Sequence, residues 1–196
     1  MRTVYLIRHA LPQMPGGIRI CLGCRTDPPL SPEGEAAAAA LAAFFADREI
    51  TAIGCSPMLR CRQTAALVFP GREIEVLPDL REVDCGAWEG LSFEEIRARY
   101  PELYAARGRD DSLAPPGGES LAEVSRRTLP AVTDFLARTE GDLAVVAHSG
   151  VNRSILGYLM QVPYYQLPMD YLQIHRLLWD GETLTAEPWE KGSETK

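Results

Sequence analysis

Two rhythms of apolar and polar positions run through this chain. A short apolar run rich in β-branched and aromatic residues at 3–7 predicts a buried strand, 143–147 predicts another, and 51–55 and 73–77 read as strands. The clearest is 143–147, Leu-Ala-Val-Val-Ala. Between the runs lie longer segments with helix signals. Ser31 caps the first, with Pro32 at its first turn and Glu33 and Glu35 near its positive end. That Ala-rich helix reaches about Asp47, anchored by Leu41, Phe44 and Phe45. Ser56-Pro57 opens a second helix over 58–69, and 93–100 reads as a third. Glu119 or Ser120 starts a long helix ending near Arg138, and 151–160 is helical again. Residues 172–179, an Asp180-Gly181 turn and 184–189 predict a closing hairpin, with a polar tail at 190–196. Strands alternating with helices predict an α/β fold, a three-layer αβα sandwich around a mostly parallel sheet.

Composition narrows the class. The 196 residues suit one domain, and a chain of this size buries about 70% of its unfolded surface without needing disulfides. Its formal net charge of −7 disfavours nucleic acid and anionic membranes as partners, since both require a basic face. No run approaches the roughly 20 apolar residues of a membrane span, and the first apolar run stops at Arg8, short of a signal-peptide core. Five irregularly spaced Cys do not read as a secreted disulfide framework, so a cytoplasmic location is expected. Cys21 and Cys24 form a lone Cys-x-x-Cys pair without a second ligand pair, which reads as packing. No carboxylate cluster suggests a metal, and no cofactor is expected.

The chemistry gathers at strand ends. His9 follows the first strand and His148 follows the strand at 143–147, so two of the three His lie at carboxyl edges, where open α/β sheets bind ligands. Arg8 adjoins His9, and Arg60 and Arg62 fall in the first turns of the helix after the second strand. Each residue alone reads as an ordinary loop or helix residue; the coincidence of His9, His148, Arg8 and Arg60 does not. His175, in the hairpin, reads as packing.

These residues sit in a recognisable order. Leu6-Ile7-Arg8-His9-Ala10 ends the first strand; Ser56-Pro57-Met58-Leu59-Arg60-Cys61-Arg62-Gln63-Thr64-Ala65 opens the second helix. Leu80-Arg81-Glu82 precedes Gly86-Ala87-Trp88-Glu89-Gly90, Gly117 to Ser120 precedes the long helix, and His148-Ser149-Gly150 follows the last parallel strand. Asp27, Leu30, Ser31 and Gly34 add a further pattern. Over about residues 1–160 the chain resembles the histidine phosphatase superfamily, in its phosphoglycerate-mutase-like branch, and most closely α-ribazole-phosphatase-like and broad-specificity members. It departs where Ala10 replaces the usual Gly and Pro15 falls where a phosphate-binding Asn is common. The resemblance leaves a backbone amide, Ser or Thr of the 23–31 loop to substitute for that Asn.

The resemblance implies a single domain over 1–196 with a lid or substrate wall at about 92–118. It implies His9 as nucleophile, Glu82 as general acid and base, and Arg8, Arg60 and a protonated His148 as phosphate ligands. Arg62 and Ser149 are further substrate-binding candidates. Such an enzyme hydrolyses a small phosphorylated metabolite through a phosphohistidine, as a metal-independent phosphoric monoester hydrolase. A phosphoglycerate mutase and a catalytically weak phosphate-binding module are the alternatives. The expected partner is the metabolite alone, with no nucleic acid and no membrane, and an oligomer is compatible with the sequence. Arg97, Arg99, Arg107 and Arg109 in the wall either receive a second anionic group or pair as solvated charges with Glu94, Glu95, Asp110 and Asp111.

Overall fold

The computed structural model describes residues 1–187; the predicted tail at 190–196 and the end of the hairpin at Trp189 lie outside them. Six strands form one sheet: β1 (Arg2–Arg8), β2 (Ile50–Cys55), β3 (Glu75–Val76), β4 (Asp142–Ala147), β5 (Ile174–Trp179) and β6 (Leu184–Ala186). Their order is β3-β2-β4-β1-β5-β6. The pairs β3·β2, β2·β4 and β4·β1 are parallel, while β1·β5 and β5·β6 are antiparallel. The sheet is therefore mostly parallel, with an antiparallel hairpin completing one edge.

Six α-helices accompany the sheet: α1 (Pro32–Phe45), α2 (Leu59–Val68), α3 (Phe93–Arg99), α4 (Pro101–Arg107), α5 (Leu121–Ala137) and α6 (Ser149–Met160). The period of two in the strands decides which helices cover which face. Val4, Leu6, Leu143 and Val145 pack with Val132, Phe135 and Leu136 of α5 and Ile155 of α6. Tyr5, Ile7, Ala144 and Val146 point the other way, toward Ala38 and Phe45 of α1 and Cys61 and Ala65 of α2. Both faces of β1 and β4 are thus dry, as a continuous apolar run demands.

Several boundaries differ from the sequence reading for identifiable reasons. The third strand shrinks to two exposed residues because it is the sheet's edge, paired on one side only. Helix α6 begins at Ser149 rather than Val151, because His148 itself occupies the extended N-cap position. Residues 101–118, read as loop with some helix, contain α4 before the chain turns through Pro115 to Gly118. Ser31 caps α1 as expected, its side chain accepting from Gly34 N. Ser92 and Ser120 form reciprocal capping boxes with Glu95 and Glu123. Among the described residues, no helix is long and apolar enough to cross a membrane.

Candidate active site

The carboxyl ends of β1, β2 and β4 meet at one place. Parallel pairing puts Arg8 opposite Ala147, and the next residues in each strand direction are His9 and His148. The His9 amide continues the ladder by donating to Ala147 O at 2.9 Å. Their imidazole centroids lie 5.2 Å apart. Both rings are buried, His9 at 3% and His148 at 0% exposure.

The His9 ring has a defined tautomer. Nδ1 lies 2.7 Å from Ala10 O, and a carbonyl only accepts, so Nδ1 carries the proton. Nε2 keeps the lone pair. Burial, reinforced by the Arg60 and Arg8 charges, holds the His9 pKa well below the ordinary value. The imidazole is therefore neutral, the form a nucleophile requires. The Ala10 methyl is fully buried, and its amide donates to Thr64 Oγ1 at 3.0 Å. That hydroxyl in turn donates to Arg60 O at 2.7 Å. A single threonine thus couples the His9 turn to the first turn of α2.

At His148, burial lowers the pKa well below the ordinary value, with Arg60, His9 and Arg8 adding to the effect, which favours the neutral ring. Its Nε2 lies 2.7 Å from Ser56 Oγ, a hydroxyl able to donate or accept.

Arg60 is entirely buried, and its guanidinium is held by Thr26 O at 3.1 Å, Gly23 O at 3.1 Å and Asp27 Oδ1 at 3.3 Å. Asp27 also accepts from Leu59 N, capping α2 at its positive end. The Gln63 side chain accepts from Leu30 N and ties α2 to the same loop. Arg8 is half-buried, donates to Met169 O, and stacks 3.9 Å from the centroid of the Tyr171 ring. Arg62, by contrast, is exposed on α2, while Arg60 is buried. Within the 23–31 loop the Gly23 and Thr26 amides donate to Glu89 Oε1 and the Cys24 amide to Val83 O.

Glu82 arrives from the other side of the sheet, buried to 7% exposure. Oε1 accepts from Val83 N at 2.9 Å and Oε2 from Gly150 N at 3.3 Å. Its loop is pinned by Arg127 of α5, which donates to Asp79 O, Arg81 O and Glu82 O and pairs with Glu119 at 2.9 Å. Glu119 also accepts from Arg81 and Asp84 N. Gly86, at φ +50°, passes so close to the neighbouring segment that a Cβ would lie 2.3 Å from Pro116 O.

A cavity of about 200 Å³ opens over these groups, lined at its floor by Arg8, His9, Glu82, Ser149 and Gly150. Its walls include Arg19, Phe93, Arg107, Arg153, Tyr164 and Tyr171. Sequence reasoning missed Arg19, Arg153 and Tyr171. Arg153 had a signal, one helical turn after Ser149, whose hydroxyl it reaches at 3.0 Å. Of the four arginines around the wall helices, Arg99 pairs with Glu95, whereas Arg107 turns into the cavity. His175 is buried packing, its Nε2 3.3 Å from Pro168 O.

The model of the histidine phosphatase superfamily (branch 1) matches residues 4–191. The chain belongs to this superfamily. One relative, the 6-phosphofructo-2-kinase/fructose-2,6-bisphosphatase of Caenorhabditis elegans, is 32% identical over 180 residues, covering 90% of this chain and 38% of the relative. The chain thus spans under two fifths of the length of that protein. Among solved structures, a mycobacterial glucosyl-3-phosphoglycerate phosphatase superposes with a TM-score of 0.86 at 27% identity, over 96% of this chain and 98% of its own. Bacillus stearothermophilus YhfR superposes with a TM-score of 0.85 at 29% identity, over 95% of each chain.

Proposed function

We propose that this histidine phosphatase hydrolyses a small phosphomonoester in two steps. The observation that carries the reading is a neutral, buried His9 whose Nδ1 proton is committed to Ala10 O and whose ring opens on a cavity ringed by guanidinium groups. In the first step His9 Nε2 attacks phosphorus, the bond to the ester oxygen breaks, and the carboxyl proton of Glu82 goes to the leaving alkoxide. In the second, Glu82 takes a proton from water, the resulting oxygen displaces His9, and inorganic phosphate leaves. Arg8 and Arg60 hold the phosphoryl oxygens throughout, and His148 donates to them as it gains a proton on phosphate binding. Ser149 and the Gly150 amide frame the opposite wall, and residues 92–118 act as the wall that meets the rest of the substrate.

A panel of phosphomonoesters, assayed for inorganic phosphate in EDTA without 2,3-bisphosphoglycerate, tests this. Turnover with release of phosphate is expected, together with an acid-labile phosphoryl adduct that is lost in His9→Ala. Comparable turnover by His9→Ala, or transfer to a second hydroxyl without phosphate release, rejects it.

A further inference from the structure

The two arginines that flank His9 are held in different ways. Arg60 is wholly buried, and its guanidinium donates to Thr26 O, Gly23 O and Asp27 Oδ1. Arg8 makes one side-chain hydrogen bond among the described residues, from Nη1 to Met169 O, and no ion pair. Its Nε is buried without a partner. One bond fixes a point and leaves the guanidinium plane free to turn about it. What lies against that group is the Tyr171 ring, with its centroid 3.9 Å from Arg8 Cζ. The same ring lies 5.7 Å from the His9 ring, tilted by 52°. Tyr171 thus touches both the nucleophile and the phosphate ligand beside it.

The backbone that presents Tyr171 is unusual. Residues 170–173 form a tight turn, closed by Gln173 N donating to Asp170 O at 3.1 Å. Its third position has φ +61°, where glycine is the common occupant, yet the residue is Leu172. A side chain in that conformation is strained and persists only where its surroundings over-determine it. They do so here. The Gln173 side chain accepts from Asp170 N at 2.8 Å, and Gln173 O accepts from Arg8 N at 3.0 Å. The Leu172 side chain packs on the core that holds Tyr5, Ile7 and Val146. The turn is therefore tied to β1 at Arg8 itself, and it carries Tyr171 to the cavity, which the ring lines.

We infer that Tyr171 is a positioning residue whose ring face sets the plane of the Arg8 guanidinium before a phosphoryl group arrives. A ligand oriented in advance loses less freedom when it binds, so the ring raises phosphate affinity without touching the phosphate. The strained turn at Leu172 is the device that keeps the ring in place. The inference rests on the phosphatase reading for the identity of the anion that Arg8 receives.

Two measurements test it. In nitrogen-15 spectra of the unsubstituted protein, the Arg8 Nε–H resonance is assigned by its loss in Arg8→Lys. It is expected upfield of free arginine, because a ring face shields the protons above it. Tyr171→Phe keeps that shift and Tyr171→Leu removes it. Calorimetry with inorganic phosphate gives the consequence: Tyr171→Leu binds about fivefold or more weakly, while Tyr171→Phe stays within about twofold of the unsubstituted protein. An unshifted Arg8 resonance, or equal phosphate affinity in all three proteins, overturns the inference. A loss in the phenylalanine variant as large as in the leucine variant assigns the effect to the hydroxyl and overturns it too. The resonance of the unsubstituted protein decides even where the leucine variant fails to fold. If no phosphomonoester is turned over, the phosphatase reading fails by itself, and the resonance and the phosphate titration still decide on Tyr171.

Discussion

The Gly150 amide donates to Glu82 Oε2 across 3.3 Å, joining the first turn of α6 to the loop that brings in the carboxyl. The contact leaves no room for a side chain: a Cβ on Gly150 would lie 2.6 Å from Glu82 Oε1 and 2.3 Å from Val83 Cγ2. Gly150→Ala is therefore expected to displace Glu82 and lower kcat by about 10²-fold, since a misplacement near 1 Å has that effect. Glu82→Gln should lose about 10²–10⁴-fold. Single-turnover kinetics on folded protein checks both; an alanine variant with unchanged kcat argues against Glu82 as proton donor.

Arg127 reaches the substrate cavity only through Glu82. It donates to the carbonyls of Asp79, Arg81 and Glu82 and pairs with a mostly buried Glu119. Arg127→Leu leaves Glu119 with only Arg81 and the Asp84 amide as partners and is expected to cost about 2 kcal/mol of stability, below the range for a wholly buried pair. It should also lower kcat, because the Glu82 carboxyl loses its fixed position. Urea unfolding and single-turnover rates are read together. A stability loss with an unchanged kcat confines Arg127 to structure.

Thr64 is the hinge between nucleophile and phosphate ligand. Thr64→Val keeps the shape but strands the buried Ala10 amide, at a cost of about 1–3 kcal/mol. Chemical denaturation measures this directly, and a neutral substitution would mean that the turn at His9 is held by the strand alone.

Stability should depend on pH with a definite sign. His9 and His148 have pKa values lowered by burial, so the unfolded chain binds protons that the folded one refuses. Their contribution is fully present above the unfolded value near 6.5 and is lost as pH falls toward the folded values. Each ring is expected to remove up to about 1.4 kcal/mol per pH unit below 6.5. Urea midpoints in phosphate-free buffer at pH 7.5 and 5.5 test this; His148→Asn should flatten the slope, and a flat slope in the unsubstituted protein contradicts the buried neutral pair. Because the neutral nucleophile survives below pH 6.5 while Glu82 must be protonated, activity should peak on the acid side of neutrality.

Legibility followed hydrogen-bond locality. The runs at 3–7 and 143–147 showed the central strands because both faces are buried, and Ser31 and Ser120 marked helix starts by their own capping chemistry. The gathering of His9, Arg60 and His148 was readable because each follows a strand or opens a helix, whereas Glu82 came only from the family resemblance. Arg62 was misplaced because neighbouring helix positions face different ways, and only Arg60 turns inward. The lowered pKa of His148 was not legible, because burial and the Arg60 field are three-dimensional. Glu119 appeared only as a helix-start letter, while its use as anchor for Arg81 and Arg127 depends on segments 38 and 8 residues away. Arg19 and Tyr171 carry no local mark at all, and come to the cavity through tertiary packing.

The bond from His9 N to Ala147 O means that the gap between the two imidazoles is measured out by main chain. No side-chain exchange within the apolar strands alters that interval unless it breaks the sheet. The reacting pair is therefore inherited with the architecture, whereas Arg107 stands at the last position of the seven-residue α4, outside the sheet. A lineage built this way can change what it recognises while its chemistry stays where the ladder put it.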